Sequence, residues 1–369
     1  VRIRRVTLRL VRLPLVRSFE TSFSVMHARE FVLVQIDGAR ATGWGECVAD
    51  ADPFYSSETS KTAWHVLERY LVPSVLGRTV DHPHDVAALW PPVRGHRMAK
   101  AALEMAAWDL HAREAGVPLC EVLGARARPI AAGVSIGIQP SLDALVERVA
   151  SEIAEGYQRV KIKIKPGWDA APARALRTRF PGLPLMVDAN AAYTLDEAPA
   201  LAALDDLDLM MIEQPLDYDD LVQHARLQAK LRTPICLDES ITSLHAAADA
   251  LEIGACRIIN IKPGRLGGFA PSLAVHELAR QRGIPLWHGG MLESGIGRAH
   301  NLHLSTLPGF TLPGDVAASR RYFQPDLIEP PIEVAADGTI AVPSGAGIGV
   351  SPVPDRLRTS TVHEQEFIA

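Results

Sequence analysis

Five residues able to carry acid–base or metal chemistry recur along the chain at nearly one interval. They are Lys163, Asp188, Glu213, Asp238 and Lys262, spaced 25, 25, 25 and 24 residues apart (188−163, 213−188, 238−213, 262−238). Each closes a short apolar run of strand character: Arg159-Val-Lys-Ile-Lys, Leu185-Met-Val-Asp, Met210-Met-Ile-Glu, Ile235-Cys-Leu-Asp and Ile258-Ile-Asn-Ile-Lys. The interval is the length of one strand–helix unit. In a (β/α)8 barrel all strands end on one face, so residues distant in sequence meet around one cavity. Further strand-like runs at Val134-Ser-Ile-Gly-Ile, Ile284-Pro-Leu-Trp-His and Phe310-Thr-Leu-Pro bring the count to eight. Alternating strands and helices imply a parallel sheet with right-handed crossovers, and hence an α/β barrel. A doubly wound open sheet is the alternative. It would carry a glycine-rich phosphate loop after its first strand, whereas Gly264-Arg-Leu-Gly-Gly comes late and has the wrong spacing.

A barrel takes about 250 residues, and this chain has 369, 47% of them hydrophobic. The surplus is mostly N-terminal. Residues 1–15 and 30–47 alternate like antiparallel strands, with Ser18 to Met26 read as a loop between them. Helical patterns run from Ser56 to about Leu71, from Asp85 to about Leu89, and from Met98 to Ala115. The last has Ala102, Met105, Ala106 and Leu110 on one face and Gly116-Val-Pro as its stop. The expected organisation is an α+β domain over 1–125, a barrel over 126–320, and a segment 321–369 that packs back on the first domain.

A net charge of −5 gives no basic footprint for nucleic acid or an anionic membrane, which leaves small molecules as the expected partners. No stretch approaches the roughly 20 apolar residues of a membrane span, and the first residues lack a signal-peptide core. Cys47, Cys120, Cys236 and Cys256 are scattered without metal-site spacing, as in a reducing compartment. The expected location is therefore cytoplasmic.

Three acids at neighbouring strand ends, Asp188, Glu213 and Asp238, make an oxygen ligand set for a hard divalent cation. Magnesium is the natural choice, with Mn2+ or another divalent cation able to substitute. A strand-end acid by itself more often caps a helix or pairs with an arginine; three at equal spacing between two lysines favour the metal reading. Asn190 shares the face of Asp188, while Glu239 follows Asp238 directly, so only one of that pair faces the cavity if strand alternation persists. Lys161 and Lys163, two apart, project together into the barrel. A lysine closed in beside a second ammonium and a metal is expected to have a lowered pKa and to serve as a base. Lys262 approaches from the other side. A metal on a substrate carboxylate and a lysine at its α-proton specify α-proton abstraction through an enediolate.

These motifs resemble the enolase superfamily in its muconate-lactonising branch, and more narrowly the o-succinylbenzoate synthase and N-succinylamino acid (N-acylamino acid) racemase family. The resemblance is carried by Gly43-Trp-Gly-Glu-Cys, Gly95-His-Arg-Met-Ala-Lys, Lys161-Ile-Lys-Ile-Lys-Pro-Gly, Val187-Asp-Ala-Asn, Ile212-Glu-Gln-Pro, Cys236-Leu-Asp-Glu-Ser, Asn260-Ile-Lys-Pro-Gly-Arg and Gly289-Gly-Met-Leu-Glu-Ser. It implies a modified TIM barrel, (β/α)7β, under an N-terminal capping domain completed by the C-terminal tail. It also implies magnesium on Asp188, Glu213 and Asp238, and Lys163 and Lys262 as catalytic lysines. Ser135, Asn190, Gly289, Gly290 and Met291 would line the substrate site. The implied activity is dehydration of 2-succinyl-6-hydroxy-2,4-cyclohexadiene-1-carboxylate in menaquinone biosynthesis, or N-acylamino acid racemisation by two lysines. The resemblance also suggests a homo-oligomer, anywhere from dimer to octamer.

Specificity is expected in the capping loops, from Phe19, Phe23, Val25 and Met26 in one and Asp50 to Tyr55 in the other. Asp50 departs from the family, which usually has an apolar residue there, so a carboxylate would resist an apolar substrate unless it turns outward. Arg265, three after Lys262, would keep positive charge beside that lysine and help it deprotonate; contact with the barrel rim is the equal alternative. His288 raises the mandelate racemase mechanism, but the strand before it ends in Lys262 and offers no aspartate partner. A zinc hydrolase would need clustered histidines, and Val134-Ser-Ile has none. A non-catalytic binding barrel would be expected to have lost members of the site, and all five are present.

Overall fold

The computed structural model describes all 369 residues, Val1–Ala369. Seven strands form one parallel sheet in chain order: Gly133–Ile136, Arg159–Lys163, Leu185–Asp188, Ile212–Glu213, Ile235–Leu237, Ile258–Ile261 and Leu286–His288. Residues 310–314 fill the eighth position, bridging the seventh strand at Leu286↔Phe310 and the first at Ala132↔Gly314. The expected barrel closes, although its eighth member makes only these isolated bridges. Pro313 has no N–H to give a ladder, and its carbonyl is taken by the Arg159 side chain at 2.9 Å.

Parallel register then does the positioning. Lys163 pairs with Asp188 and Asp188 with Glu213, so these side chains stand next to one another about 4.8 Å apart. Below them Met186, Met211, Cys236, Ile258 and Trp287 make a separate buried apolar cluster, with the Trp287 indole N–H on Cys236 Sγ at 3.2 Å. This plug keeps water from entering beneath the charged layer.

The second sheet is antiparallel and has four strands: β1 (Arg5–Glu20), β2 (Val25–Asp37), β3 (Thr42–Cys47) and the C-terminal strand Thr361–Ile368, which pairs with β1. The run read as continuous over 30–47 is split by a turn in which Gly38 N–H donates to Ala41 O. The expected loop from Ser18 to Met26 is instead mostly hairpin, with Phe19↔Met26 and Glu20↔Val25 in register. The ribbon extends because its tip is anchored on the barrel. Ile138 N–H donates to Glu20 O at 3.0 Å, and Ser22 Oγ to Asn190 O at 3.4 Å.

The helix Arg97–Ala115 ends as expected at Gly116, whose φ of 73° suits glycine. It is buried nearly all round rather than on one face. Ala102, Ala106 and Leu110 pack with the antiparallel sheet, and Ala101, Met105 and Trp108 with the barrel core. Two carboxylates clamp the layers together at helix N-termini, where free N–H groups favour negative charge. Glu104 accepts from the N–H groups of Phe269 and Ala270 (2.8 and 2.9 Å), which open the helix Phe269–Arg282. Glu46 accepts from the N–H groups of Ser294 and Gly297 (3.1 Å each) at the helix Gly295–Leu304.

Close approach of β3 to the long helix requires glycine. A Cβ on Gly45 would overlap the carbonyl of Ala102, and one on Gly43 that of Ala106. Gly45→Ala should therefore lower stability by about 2 kcal/mol through overpacking, seen as a lower urea midpoint at unchanged slope.

Candidate active site

At the strand ends, beneath the hairpin, lies a small cavity. Its wall includes Phe19, Phe23, Asp50 and Tyr55 from the capping segments, and Ser135, Lys161, Lys163, Asn190, Lys262, Gly290 and Met291 from the barrel. Gly289 lies beneath the wall, where any Cβ would meet the side chains of Asn260 and Lys262. Asp188, Glu213 and Asp238 stand behind the lysines, at most 1% exposed. Lys163 occupies the second and Lys262 the sixth of eight barrel positions, so the two face each other across the mouth.

Lys163 and Lys262 are each oriented by one carboxylate and one neutral group. Lys163 Nζ donates to Asp188 Oδ2 and Asn190 Oδ1, both at 2.6 Å. Lys262 Nζ donates to Asp238 Oδ2 at 2.6 Å and to Tyr55 Oη at 3.2 Å; Tyr55 in turn donates to Asp238 Oδ1 at 3.1 Å. Lys161 lies 2.8 Å from Glu213 and 3.1 Å from Asp188. Burial disfavours the Lys262 ammonium, but Asp238, Tyr55 and Glu213 outweigh it and hold the pKa above the usual lysine value. Lys161 is likewise raised, its desolvation overcome by Asp315, Glu213 and Asp188. The lowering expected of a lysine beside a metal ion belongs to the cation-loaded site; as the side chains stand, an anion lies against the Lys161 and Lys262 ammonium groups.

Asp188, Glu213, Asp238, Glu239 and Asp315 face Arg159, Lys161, Lys163, Lys262 and Arg265, one base for each acid. Even so, burial and the neighbouring Asp188 push Glu213 up to about 7, and burial with Asp238 and Asp188 pushes Glu239 to about 8. Glu239 Oε2 is buried without a partner. That unpartnered oxygen and the neighbouring carboxylates make a donor set that suits a hard divalent cation. As the side chains stand, the carboxylates are engaged by ammonium groups and no three acids, histidines or cysteines converge around one point.

Strand alternation does not persist past Leu237, because the strand ends there. Asp238 and Glu239 therefore both reach the cluster, Glu239 by accepting from Asn190 Nδ2 at 2.9 Å. Arg265 is not a rim residue. It is buried, ion-paired to Asp238, and donates through Nε to Ile241 O at 2.7 Å. His288 is 1% exposed and stacks near Phe310 away from the cavity, where burial lowers its pKa to about 3. Sequence reasoning missed Asp315, Arg298 and Tyr322, which line the cavity, and Asn260, whose Nδ2 donates to Glu213 Oε1 at 2.7 Å. Asn260 was findable, since it lies two before Lys262 on one strand face.

Asp50 is turned neither freely inward nor outward. It lines the cavity and ion-pairs with Arg29, which is 1% exposed and also donates to Val48 O at 3.0 Å. Together with Phe23 and Met26 it also walls an outer hollow of about 1230 Å³.

Comparison with known proteins agrees with this arrangement. Residues 3–124 match the mandelate racemase / muconate lactonizing enzyme N-terminal domain, and residues 144–356 match the enolase C-terminal domain-like family. The chain belongs to the enolase superfamily. An o-succinylbenzoate synthase of Geobacillus kaustophilus is 52% identical over 95% of this chain and 93% of its own length. An N-succinylamino acid racemase of Thermus thermophilus is 50% identical, covering 95% of each chain. A solved enolase superfamily member from Listeria innocua superposes with a TM-score of 0.95 at 38% identity, covering 99% of each chain. No helix of this superfamily member is long and apolar enough to cross a membrane.

The ion pair at the cavity roof sets the outcome of changing it. Asp50→Met should cost about 3 kcal/mol by leaving Arg29 buried and unpaired. Arg29→Met combined with Asp50→Met should recover most of that loss, as measured by denaturant unfolding of the two single variants and the pair.

Proposed function

We propose that the chain is an o-succinylbenzoate synthase that uses magnesium and removes an α-proton from a small-molecule carboxylate. Its substrate on this reading is 2-succinyl-6-hydroxy-2,4-cyclohexadiene-1-carboxylate, and its product feeds menaquinone biosynthesis. The observation that carries the proposal is the pair of buried lysines facing each other across one covered cavity, with three carboxylates behind them. Four buried free cysteines suit a reducing, cytoplasmic setting.

In this reading Lys163 Nζ, aimed by Asp188 and Asn190, takes the α-proton as its neutral amine. The resulting ammonium gives that proton to the departing hydroxyl on the same face, so water leaves and the amine is restored. Lys262 stays protonated, fixed by Asp238 and Tyr55, and stabilises the enediolate charge as it develops. Asp188, Glu213 and Asp238 would hold the cation. Bound there, it would supply positive charge beside the substrate carboxylate. The hairpin tip and Tyr55 exclude water from the reacting face.

Racemisation of N-succinylamino acids is the second reading, and the matched settings of the two lysines favour it. One would take the α-proton and the other return a proton to the opposite face.

Dehydration in the presence of Mg2+ should proceed with kcat/KM of about 10⁴ M⁻¹s⁻¹ or more. It should fall by at least about 10³-fold in Lys163→Ala and stop with EDTA. In D2O, Lys163→Ala and Lys262→Ala should each lose α-deuteration of one enantiomer of an N-succinylamino acid. Absence of both dehydration and exchange in the wild-type protein would overturn the reading.

A further inference from the structure

We infer that Asp315 is a positioning residue that holds the Lys161 ammonium at the cavity wall as a fixed positive charge for the substrate carboxylate. The inference rests on the α-proton chemistry proposed above and adds to it a residue from the irregular eighth barrel position.

The placement of Asp315 is fixed through its backbone. Its N–H donates to His288 O at 2.8 Å, and Gly290 packs against its carbonyl so closely that a Cβ there would come within 2.6 Å. Its carboxylate is 6% exposed and divided between two bases. Oδ1 accepts from Arg159 Nη1 at 2.7 Å, and Oδ2 lies 2.7 Å from Lys161 Nζ. Arg159 is itself immobilised, with Nη2 on Pro313 O at 2.9 Å and its guanidinium 5.1 Å from the Trp287 ring centre. Asp315 is thus an anion fixed on one side by an arginine that does not line the cavity, and aimed on the other at a lysine that does.

The three carboxylates around Lys161 are not equivalent. Glu213 and Asp188 are the candidate cation ligands, and their oxygens are wanted elsewhere once a cation is held. Asp315 alone can remain on Lys161 through the reaction. The Trp287 ring, 4.9 Å from Nζ, supports the ammonium from below by a cation–π contact. With Asp315 and Trp287 in place, Lys161 keeps one geometry whatever happens to the other two acids. Without Asp315 its flexible four-carbon stem would let the ammonium follow Asp188 and Glu213.

A double-mutant cycle in the full-length protein with Mg2+ separates this role from simple scaffolding. Asp315→Asn should lower kcat/KM for dehydration by about a hundredfold, the size of effect that misplacement of a group by about 1 Å produces, with KM raised. Lys161→Ala should show a similar rise in KM, and the double variant should be no worse than Lys161→Ala alone. Losses that multiply in the double variant, or an unchanged KM in Asp315→Asn, would overturn the inference. Should Asp315→Asn fail to fold, Asp315→Glu keeps a charge for Arg159 while displacing the carboxylate from Lys161. It should raise KM at an unchanged melting temperature, and a wild-type KM would equally overturn the inference. Calorimetric binding of an N-succinylamino acid to the metal-free variants gives a readout independent of turnover. Weaker binding in Asp315→Asn and Lys161→Ala, but no further weakening in the pair, is expected. A wild-type protein that turns nothing over but shows this binding pattern would sink the proposed reaction and leave the role of Asp315 standing.

Discussion

Like charge forced together by strand register is the constraint on which the rest of this structure depends. Hydrogen bonding between parallel strands brings Asp188 and Glu213 into one row, and Asp238 follows from the next strand end. Above an apolar plug, these acids cannot all ionise without positive charge beside them. Lys161, Lys163 and Lys262 supply it at contact distance. These lysines are therefore counter-ions of the protein's own carboxylates, and anything that occupies those carboxylates alters the setting of the lysines.

A charged cluster of this kind is useful only under cover, and the antiparallel sheet provides it. β1 and β2 run on past the body of their sheet and end over the barrel mouth, where backbone contacts at Glu20 fix the tip. Tyr55, from the other capping segment, inserts its hydroxyl between Lys262 and Asp238. The cover is held in register by carboxylates it contributes to the barrel: Glu104 and Glu46 satisfy N–H groups at two barrel helices that would otherwise be left unpaired in a dry interface. Position of the lid and integrity of the barrel helices are thus one problem, solved by the same side chains.

The barrel and the residues gathered at its mouth were legible because both follow from periodicity. A strand–helix repeat puts every strand end on one face, and side chains two apart share a side, which is enough to bring Lys161 and Lys163 to Asp188. Features that failed to show depend on contacts between distant segments. Nothing local in Ser18 to Met26 says that the hairpin continues, since its tip is held by the barrel. Asp50 looks like an unpaired charge until Arg29, a strand away, is seen beside it. Asp315 follows a proline in a segment that forms no regular strand, so the strand rule that found the other acids passes over it. The anions against Lys161 and Lys262 are hidden for a related reason: burial is readable from composition, whereas the partners of a buried charge are set by geometry.

On the proposed function, the same geometry bears on both candidate reactions. Dehydration on one face asks Lys163 to move a proton and Lys262 to remain charged, whereas racemisation asks either lysine to be the base. Lys163 and Lys262 have matching supports, so neither is built solely as acid or as base. The asymmetry enters one layer further back. Asp238 is shared between Lys262 and the buried Arg265, while Asp188 is shared between Lys163 and Lys161, which faces the cavity and has Asp315 as a further anchor. Arg265 cannot give up its charge and is fixed by carbonyls at Ile241 and Asn260, so it stays paired with Asp238 beside Lys262. Lys161 already rests on Asp315 at 2.7 Å, so it keeps an anion beside it whatever Asp188 holds. What distinguishes the two lysines thus lies less in their own contacts than in what else their carboxylates hold.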